Sequence, residues 1–268
     1  MKNLVSVVIT TKNEAKVIKK LLETINGQSY KPIETLVVDN KSTDNTKRIA
    51  KQFTKLVYDK GPERSAQRNY GAKKAHGEYF LFLDADMELQ EDVVKECVEL
   101  VSNRKYSAVI IPEDTYGKGF WAKVKTFERS FYTYDKTVAA ARFYPKNIFL
   151  KLGGFDESIT GPEDWDLSGR AEKIGELGRT NAYIRHNEEE LNFWKLLKKK
   201  YYYAKKTHRY LSKNNISAVS PKTIFFLRSS LYKDPKKIIK HPHLYIAMWL
   251  MLSAELIAGG IGYVSSKK

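Results

Sequence analysis

A mostly parallel β-sheet with helices on both faces is the fold this sequence predicts. Three observations predict it. Short, nearly continuous apolar runs such as Leu4–Thr10 and Tyr79–Leu83 read as strands buried on both faces. Amphipathic stretches with helical spacing alternate with these runs, as in crossover units. Polar clusters recur at the carboxyl ends of the runs, where an open α/β sheet keeps its functional groups.

The elements follow in order. Leu4–Thr10 is the first buried strand. Ala15–Ile25 is helical, with Val17, Ile18, Leu21, Leu22 and Ile25 on one face. Glu34–Asp39 is a second strand, and Asp44 is placed to cap a helix reaching Phe53. Lys55–Tyr58 is a short strand, Ser65–Ala75 a helix closing near Gly77, and Tyr79–Leu83 a strand running into Asp84. Gln90–Ser102 is helical and Ser107–Ile111 strand-like. Beyond Pro112 the pattern is less regular: Phe120–Tyr134 is aromatic and amphipathic, Ala139–Tyr144 strand-like, Gly153–Glu157 a turn, and Glu163–Lys173 a further helix. A boundary is expected near Glu188, giving residues 1–188 and 189–268 as two regions.

Composition narrows the function classes. The 268 residues carry a net charge of +16, with 42% apolar and 29% charged residues, a globular mixture. The single cysteine, Cys97, excludes a disulfide framework and a multi-cysteine zinc site. The amino-terminal MKNLVSVVITTKNE lacks the apolar segment and cleavage site of a signal peptide, so a cytosolic body is expected. The charge is concentrated: Leu191–His241 holds 14 Lys and Arg against one acid, Asp234, and Leu244–Val264 follows with one charge, Glu255. A basic stretch beside an apolar one favours an anionic membrane surface. A solvated basic helix followed by a core helix is the plainer alternative. No recognised nucleic-acid motif accompanies the charge, so no nucleic-acid partner is expected.

The chemistry is expected at the strand ends. Neither GxGxxG nor GxxxxGK[ST] is present, so nucleotide phosphates would need another counter-charge. A cation held by carboxylates suits that need. Asp84 and Asp86 close an apolar strand with only Ala85 between them. Such a pair either forms an Asx-type loop or helix cap, or binds a metal.

An ordered series of segments completes the sequence reading: VSVVITTKNE, VVDNKSTDNT at Val37–Thr46, RSAQRNYGAKKAHGEYFLFLDADM at Arg64–Met87, GGFDE at Gly153–Glu157 and GPEDWDL at Gly161–Leu167. In this order and spacing the chain resembles the family 2 glycosyltransferases, over residues 4 to about 187. The resemblance implies a GT-A fold, Rossmann-like, and inverting transfer from a nucleoside diphosphate sugar, UDP- or GDP-linked. It implies that Thr10, Lys12 and Glu14 form the first nucleotide-binding segment, that Asp39 bonds the base, and that Arg68 lies near the phosphates. It matches Asp84 and Asp86 to the DXD motif holding Mn²⁺ or Mg²⁺, with Asp86 the more direct ligand. It makes Asp164 the base that deprotonates the acceptor hydroxyl and Glu163 an orienting acid, and it places His186 as a further metal ligand. Acids at a helix start also complement the helix dipole, and the two roles are compatible. Trp165 is either a sugar platform or a core aromatic.

The aromatic, basic Trp194–Tyr210 segment is either a lid whose Lys205, Lys206 or Arg209 reaches donor phosphates, or a surface lying on phospholipid. The QxxRW motif of processive synthases is absent from the sequence. As a helix, Leu244–Val264 covers about 31 Å, just enough for the hydrocarbon core. Glu255 and the glycines 259, 260 and 262 favour a helix lying in the interface over a single span. The sequence thus predicts a transferase at the cytosolic membrane face with a lipid-linked or glycan acceptor. Transfer to a polyprenyl phosphate, and a catalytically silent nucleotide-sugar-binding scaffold, are the alternatives.

Overall fold

The computed structural model describes residues 3–132, 135, 139–217, 220 and 223–265. The elements in chain order are β1 (Val5–Thr11), α1 (Ile18–Asn26), β2 (Ile33–Asp39), α2 (Thr46–Ala50), β3 (Val57–Asp59), α3 (Arg64–Lys74) and β4 (Tyr79–Asp84). Next come β5 (Met87–Leu89), α4 (Val93–Arg104), β6 (Ala108–Ile110), β7 (Glu113–Lys118), α5 (Phe120–Arg129), β8 (Ala141–Pro145), α6 (Lys146–Lys151) and α7 (Glu163–Glu172). The last are β9 (Leu177–Arg179), β10 (Ile184–Glu190), α8 (Phe193–Lys213), α9 (Pro235–Lys240) and α10 (Pro242–Ser265). The expected amphipathic stretch Phe120–Tyr134 is helical through Arg129, and its last residues, Thr133 and Tyr134, lie outside the described residues.

The chain divides into two compact units. The first comprises residues 1–113, 140–157 and 163–186. Its seven-stranded sheet has the order β3-β2-β1-β4-β8-β6-β9. Strands β1 to β4 are parallel, as the alternating pattern predicts, and β8 enters antiparallel between β4 and β6. The register sets Asp39 beside Thr11 and Thr10 beside Asp84, so three strands end in one polar row. The core beneath is aliphatic, including Val7, Ile9, Leu21, Leu22, Val37 and Leu81. Helix α3 lies close on β1 because residue 71 is glycine; a Cβ there would stand 2.3 Å from a Val8 methyl.

Two local expectations differ from the fold. Helix α1 is regular from Ile18 rather than Ala15: residues 15–17 form a lead-in turn in which the Val17 and Ile18 N–H groups share the Glu14 carbonyl, and the Ala15 N–H donates to Asp44. Asp44 is not the N-cap of α2, which is Asn45. Its carboxylate accepts from the N–H groups of both Thr46 and Ala15 and so ties two loops together.

The second unit comprises residues 114–139, 158–162 and 187–268. Two of these segments come from the middle of the chain, where a reading along the sequence groups them with the catalytic domain. Segment 114–139 belongs here because α5 buries Val124 and Phe127 with Met248, Met251 and Leu252 of α10. Glu255 is buried on the same face of α10. It accepts from Lys125 of α5 (3.4 Å) and Lys200 of α8 (3.0 Å), and Lys125 also pairs with Glu128 at 2.7 Å. Burial pushes the Glu255 carboxyl up, but Lys125 and Lys200 outweigh it and hold it at about 2.

A carboxyl lowered on folding adds stability above its unfolded value, about 4.3, and that stability is lost as pH falls toward the folded value. Glu255→Gln should therefore destabilise the protein at neutral pH by about 2 kcal/mol, since it leaves the buried Lys125 ammonium with Glu128 alone as counter-charge, while Lys200 is half exposed. In thermal melts the gap to wild type should close as pH falls from about 4.3 toward about 2.

Candidate active site

The site is built in the first unit around a single guanidinium. Arg64 and Arg68 are one turn apart on α3 and project to the same side. Arg68 is fully buried. Its Nη2 donates to Asp84 Oδ1 at 2.9 Å, and its Nη1 donates to Glu163 at 3.2 Å and to Asp164. Beneath it lies the Phe155 ring, 5.1 Å from the guanidinium carbon. Arg64 reaches Asp84 and Glu163, each at 3.5 Å.

The motif segments hold this arrangement by backbone bonds. Asn69, next to Arg68, donates to the Phe155 carbonyl (2.8 Å) and accepts from the Phe155 N–H (2.9 Å). Arg170 of α7 donates to the Leu152 and Gly154 carbonyls, and its Nε donates to Asp166. The acidic start of α7 is thereby fixed against the Gly153-Gly154 turn, where both glycines have positive φ. Gln67 caps the ends of β1 and β2 by donating to the Thr11 and Val38 carbonyls.

The two acids of GPEDWDL differ in access. The Glu163 side chain is 1% exposed and that of Asp164 is 20% exposed, so Asp164 is the one an acceptor can meet. Burial, together with the Asp164 charge, raises the Glu163 carboxyl above the usual range against the pull of Arg64 and Arg68. Burial also pushes Asp84 up, but Arg68, Arg64 and Arg142 overcome it and hold that carboxyl well below the usual range. Thr10 adds a hydrogen bond to Asp84 Oδ1 at 3.0 Å. Both Asp84 oxygens thus face cationic or hydroxyl donors.

Asp86 has another neighbour. Strand β5 pairs with β10 so that Met87 lies opposite His186, and His186 Nε2 stands 2.9 Å from Asp86 Oδ2. His186 is the third residue of β10. Glu113 lies behind the ring, 3.7 Å from Nδ1, and accepts from Arg142 Nε at 2.7 Å. Burial disfavours the charged ring, but Asp86 and Glu113 outweigh it and push its pKa up to about 10.

Among the described residues nothing hydrogen-bonds Asp86 Oδ1 or His186 Nδ1, although both atoms are buried. Among the described residues no group of three or more His, Cys, Asp or Glu gathers as a complete cage. The Asp86 carboxylate suits Mn²⁺ or Mg²⁺, which bind through one or two carboxylates plus substrate phosphates, and the added imidazole suits Mn²⁺ better than Mg²⁺. The residues present therefore fit a divalent cation shared with a diphosphate.

The segment after β1, expected to meet the nucleotide, is stitched to the loop after β2. The Asn13 N–H donates to Ser42, and Asn13 Oδ1 accepts from the Thr43 N–H. The Glu14 N–H donates to Thr46. Lys12 is exposed and Thr10 is buried on Asp84. Asp39 is fully buried, and both its oxygens are taken by the N–H and hydroxyl of Ser42. A further donor at Asp39 would have to share these oxygens with Ser42.

The structure thus gathers Arg68, Asp84, Glu163 and Asp164 into one network and pairs Asp86 with His186. Thr10 joins the first group, and Asp39 lies beside it along the strand ends. Sequence reasoning missed Glu113, Arg142, Asn69 and Arg170. The Asn of QRNYG and the GGFDE turn were the available signals for the Asn69–Phe155 clamp.

A mostly parallel sheet whose carboxyl edge brings the first acid of an Asp-x-Asp strand end and a Glu-Asp helix start onto one arginine is the architecture of a GT-A fold. The chain belongs to glycosyl transferase family 2, whose sequence profile matches residues 6–155. A glycosyltransferase of Rickettsia typhi is 28% identical over 187 residues, 61% of this chain and 57% of that protein. The GalNAc(5)-diNAcBac-PP-undecaprenol beta-1,3-glucosyltransferase of Campylobacter jejuni is 33% identical over 94 residues, 31% of this chain and 30% of that protein. The chain spans just over half the length of the first relative and less than a third of the second. A mannosyltransferase of Pyrobaculum calidifontis, in complex with GDP-Man and Mn²⁺, shares the fold with a TM-score of 0.67 at 17% identity, over 100% of this chain and 89% of that one. S. aureus TarS 1-349 in complex with UDP-GlcNAc does so with a TM-score of 0.52 at 18% identity, over 100% of this chain and 92% of that one.

Proposed function

We propose that this chain is an inverting, metal-dependent transferase that moves one sugar from a UDP- or GDP-sugar to a hydroxyl of a lipid-linked or glycan acceptor at the cytosolic face of a membrane. The observation that carries this reading is the tie through Arg68 between the partly exposed Asp164 and the end of the Asp84 strand. An inverting transfer needs a base on the face opposite the departing diphosphate, and Asp164, the more exposed acid of the pair, is the residue that suits this role. Glu163 and Arg68 orient it. Thr10 and Arg64 keep Asp84 in place at the end of β4. Asp86 and His186 would hold a Mn²⁺ or Mg²⁺, which would supply charge for the departing diphosphate. The neighbours solved with GDP-Man and Mn²⁺ and with UDP-GlcNAc support the donor class and the metal. The undecaprenol-linked substrate in the Campylobacter relative's name supports a lipid-linked acceptor. The basic Leu191–His241 segment supports a membrane surface, and the free, buried thiol of Cys97 supports a reducing compartment.

A polyprenyl phosphate acceptor is the second reading, favoured by the apolar residues that α10 leaves exposed. Its nucleophile is already anionic and needs no strong base.

The test is nucleoside diphosphate release from a panel of UDP-, GDP- and TDP-sugars, with Mn²⁺ or with EDTA. Release from one donor, lost in EDTA and lowered about a hundredfold or more in Asp86→Ala, is the expected result. Absence of release together with absence of donor binding by calorimetry would replace the transferase with a silent scaffold.

A further inference from the structure

Helix α10 is apolar on two opposite faces, and only one of them is covered. Ala247, Met248, Met251, Leu252, Glu255 and Gly262 are buried toward α5 and α8. Ile246, Leu250, Ile257, Ile261 and Val264 are 58–64% exposed. At about 100° per residue these five fall within about 60° of one another, a straight stripe about 27 Å long. Its charge has been moved elsewhere: Glu255, the single acid of the helix, points to the buried side and is paired with Lys125 and Lys200.

From this geometry we infer that the stripe is a one-leaflet docking surface for an anionic lipid bilayer, with α10 lying in the membrane plane and not crossing it. The inference rests on the membrane-associated reading above and adds the face and the mode of contact. Charge complementarity identifies the occupant. The segment leading into α10 carries 14 Lys and Arg against one acid. Lys198, Lys199 and Lys205 of α8 and Lys236 and Lys240 of α9 are exposed. Anionic headgroups attract such a surface, whereas a second copy of the chain would bring like charge against it.

Packing identifies the mode. Helices α8 and α10 run antiparallel in close contact: a Cβ on Gly262 would stand 2.4 Å from the Tyr201 carbonyl oxygen, and one on Gly259 would stand 3.9 Å from Ala204. A spanning α10 would draw the lysines of α8 and the Lys125–Glu255–Lys200 pairs into hydrocarbon, which the bilayer opposes. Lying flat, the helix buries its stripe at the boundary of headgroups and acyl chains.

The experiment uses the full chain and vesicles of phosphatidylcholine, with or without phosphatidylglycerol. Wild type should co-sediment with the anionic vesicles and much less with the neutral ones. The double variant Leu250→Glu with Ile257→Glu should bind about tenfold more weakly or worse. Because both positions are exposed, its melting temperature and its donor turnover without vesicles should match wild type. Tryptophan reporters at Ile246→Trp, Leu250→Trp and Ile261→Trp should be quenched by brominated lipid at one shallow depth. A depth profile passing through the bilayer centre would overturn the in-plane mode. Unchanged vesicle binding in the double variant would overturn the stripe. A wild-type dimer in light scattering that the double variant dissolves would make the stripe a self-association surface instead. Failure of donor turnover with vesicle binding intact would count against the transferase alone.

Discussion

Asp164→Asn is expected to lower transfer to a hydroxyl acceptor by roughly two to four orders of magnitude, the usual contribution of a positioned general base. The substitution keeps the size of the side chain and an oxygen able to accept from Arg68, so the network around Asp84 and Glu163 stays assembled. Donor binding by calorimetry should match wild type, and the melting temperature should change little. The loss should fall on turnover and not on donor affinity, because the carboxylate meets the acceptor only as its proton departs. Wild-type turnover on a hydroxyl acceptor in this variant would remove Asp164 from the base role. Spared turnover on a polyprenyl phosphate, with lost turnover on hydroxyl acceptors, would select the second reading of the acceptor.

Arg68→Met is expected to be the most destabilising single change in the first unit. It removes the cation shared by Asp84, Glu163 and Asp164, of which Glu163 is almost wholly buried. Breaking a buried ion pair from one side costs about 3–5 kcal/mol. For a chain of this size that is a fall in melting temperature on the order of 10 °C. The methionine leaves a void partly filled by its own thioether above the Phe155 ring, so packing loss is the smaller part. Arg68→Lys should recover only part of the loss, because one ammonium cannot serve acids on two sides as a planar fork does. A melting temperature within about 2 °C of wild type for Arg68→Met would mean that Arg64 and Arg142 neutralise the acids unaided.

Much of this architecture was legible in the sequence, for physical reasons. Strands β1, β2 and β4 are long and apolar enough to announce themselves, and their strand-end acids are read directly. Strands β3, β5, β6 and β9 have three residues each, too short for any period to show; β3 and β6 were recognised as parts of longer apolar runs, and β5 and β9 were not. The motif order singled out the acids that the fold gathers but did not show how they are joined. Arg68 was read as a phosphate contact; its partners lie 16, 95 and 96 residues away along the chain, and the side chain is buried among them. Asp39 was read as a base contact, and the local turn that occupies it with Ser42 depends on backbone geometry that composition does not reveal. The apolar Leu244–Val264 run left spanning and lying open because a one-dimensional pattern does not say what Glu255 faces. Its partners come from α5 and α8.

The pairing of β5 with β10 also decides where this chain tolerates insertions and deletions. His186 reaches Asp86 because it stands opposite Met87 in an antiparallel register. Side chains alternate along a strand, so one residue gained or lost between Ile184 and His186 turns the imidazole to the opposite face. The turn from Asp84 to Met87 is fixed in length for the same reason. Residues added between α4 and β6, or between α7 and β9, enter no such register and leave the pair untouched. Length variation among relatives of this chain should therefore collect in those connections and avoid the two short strands.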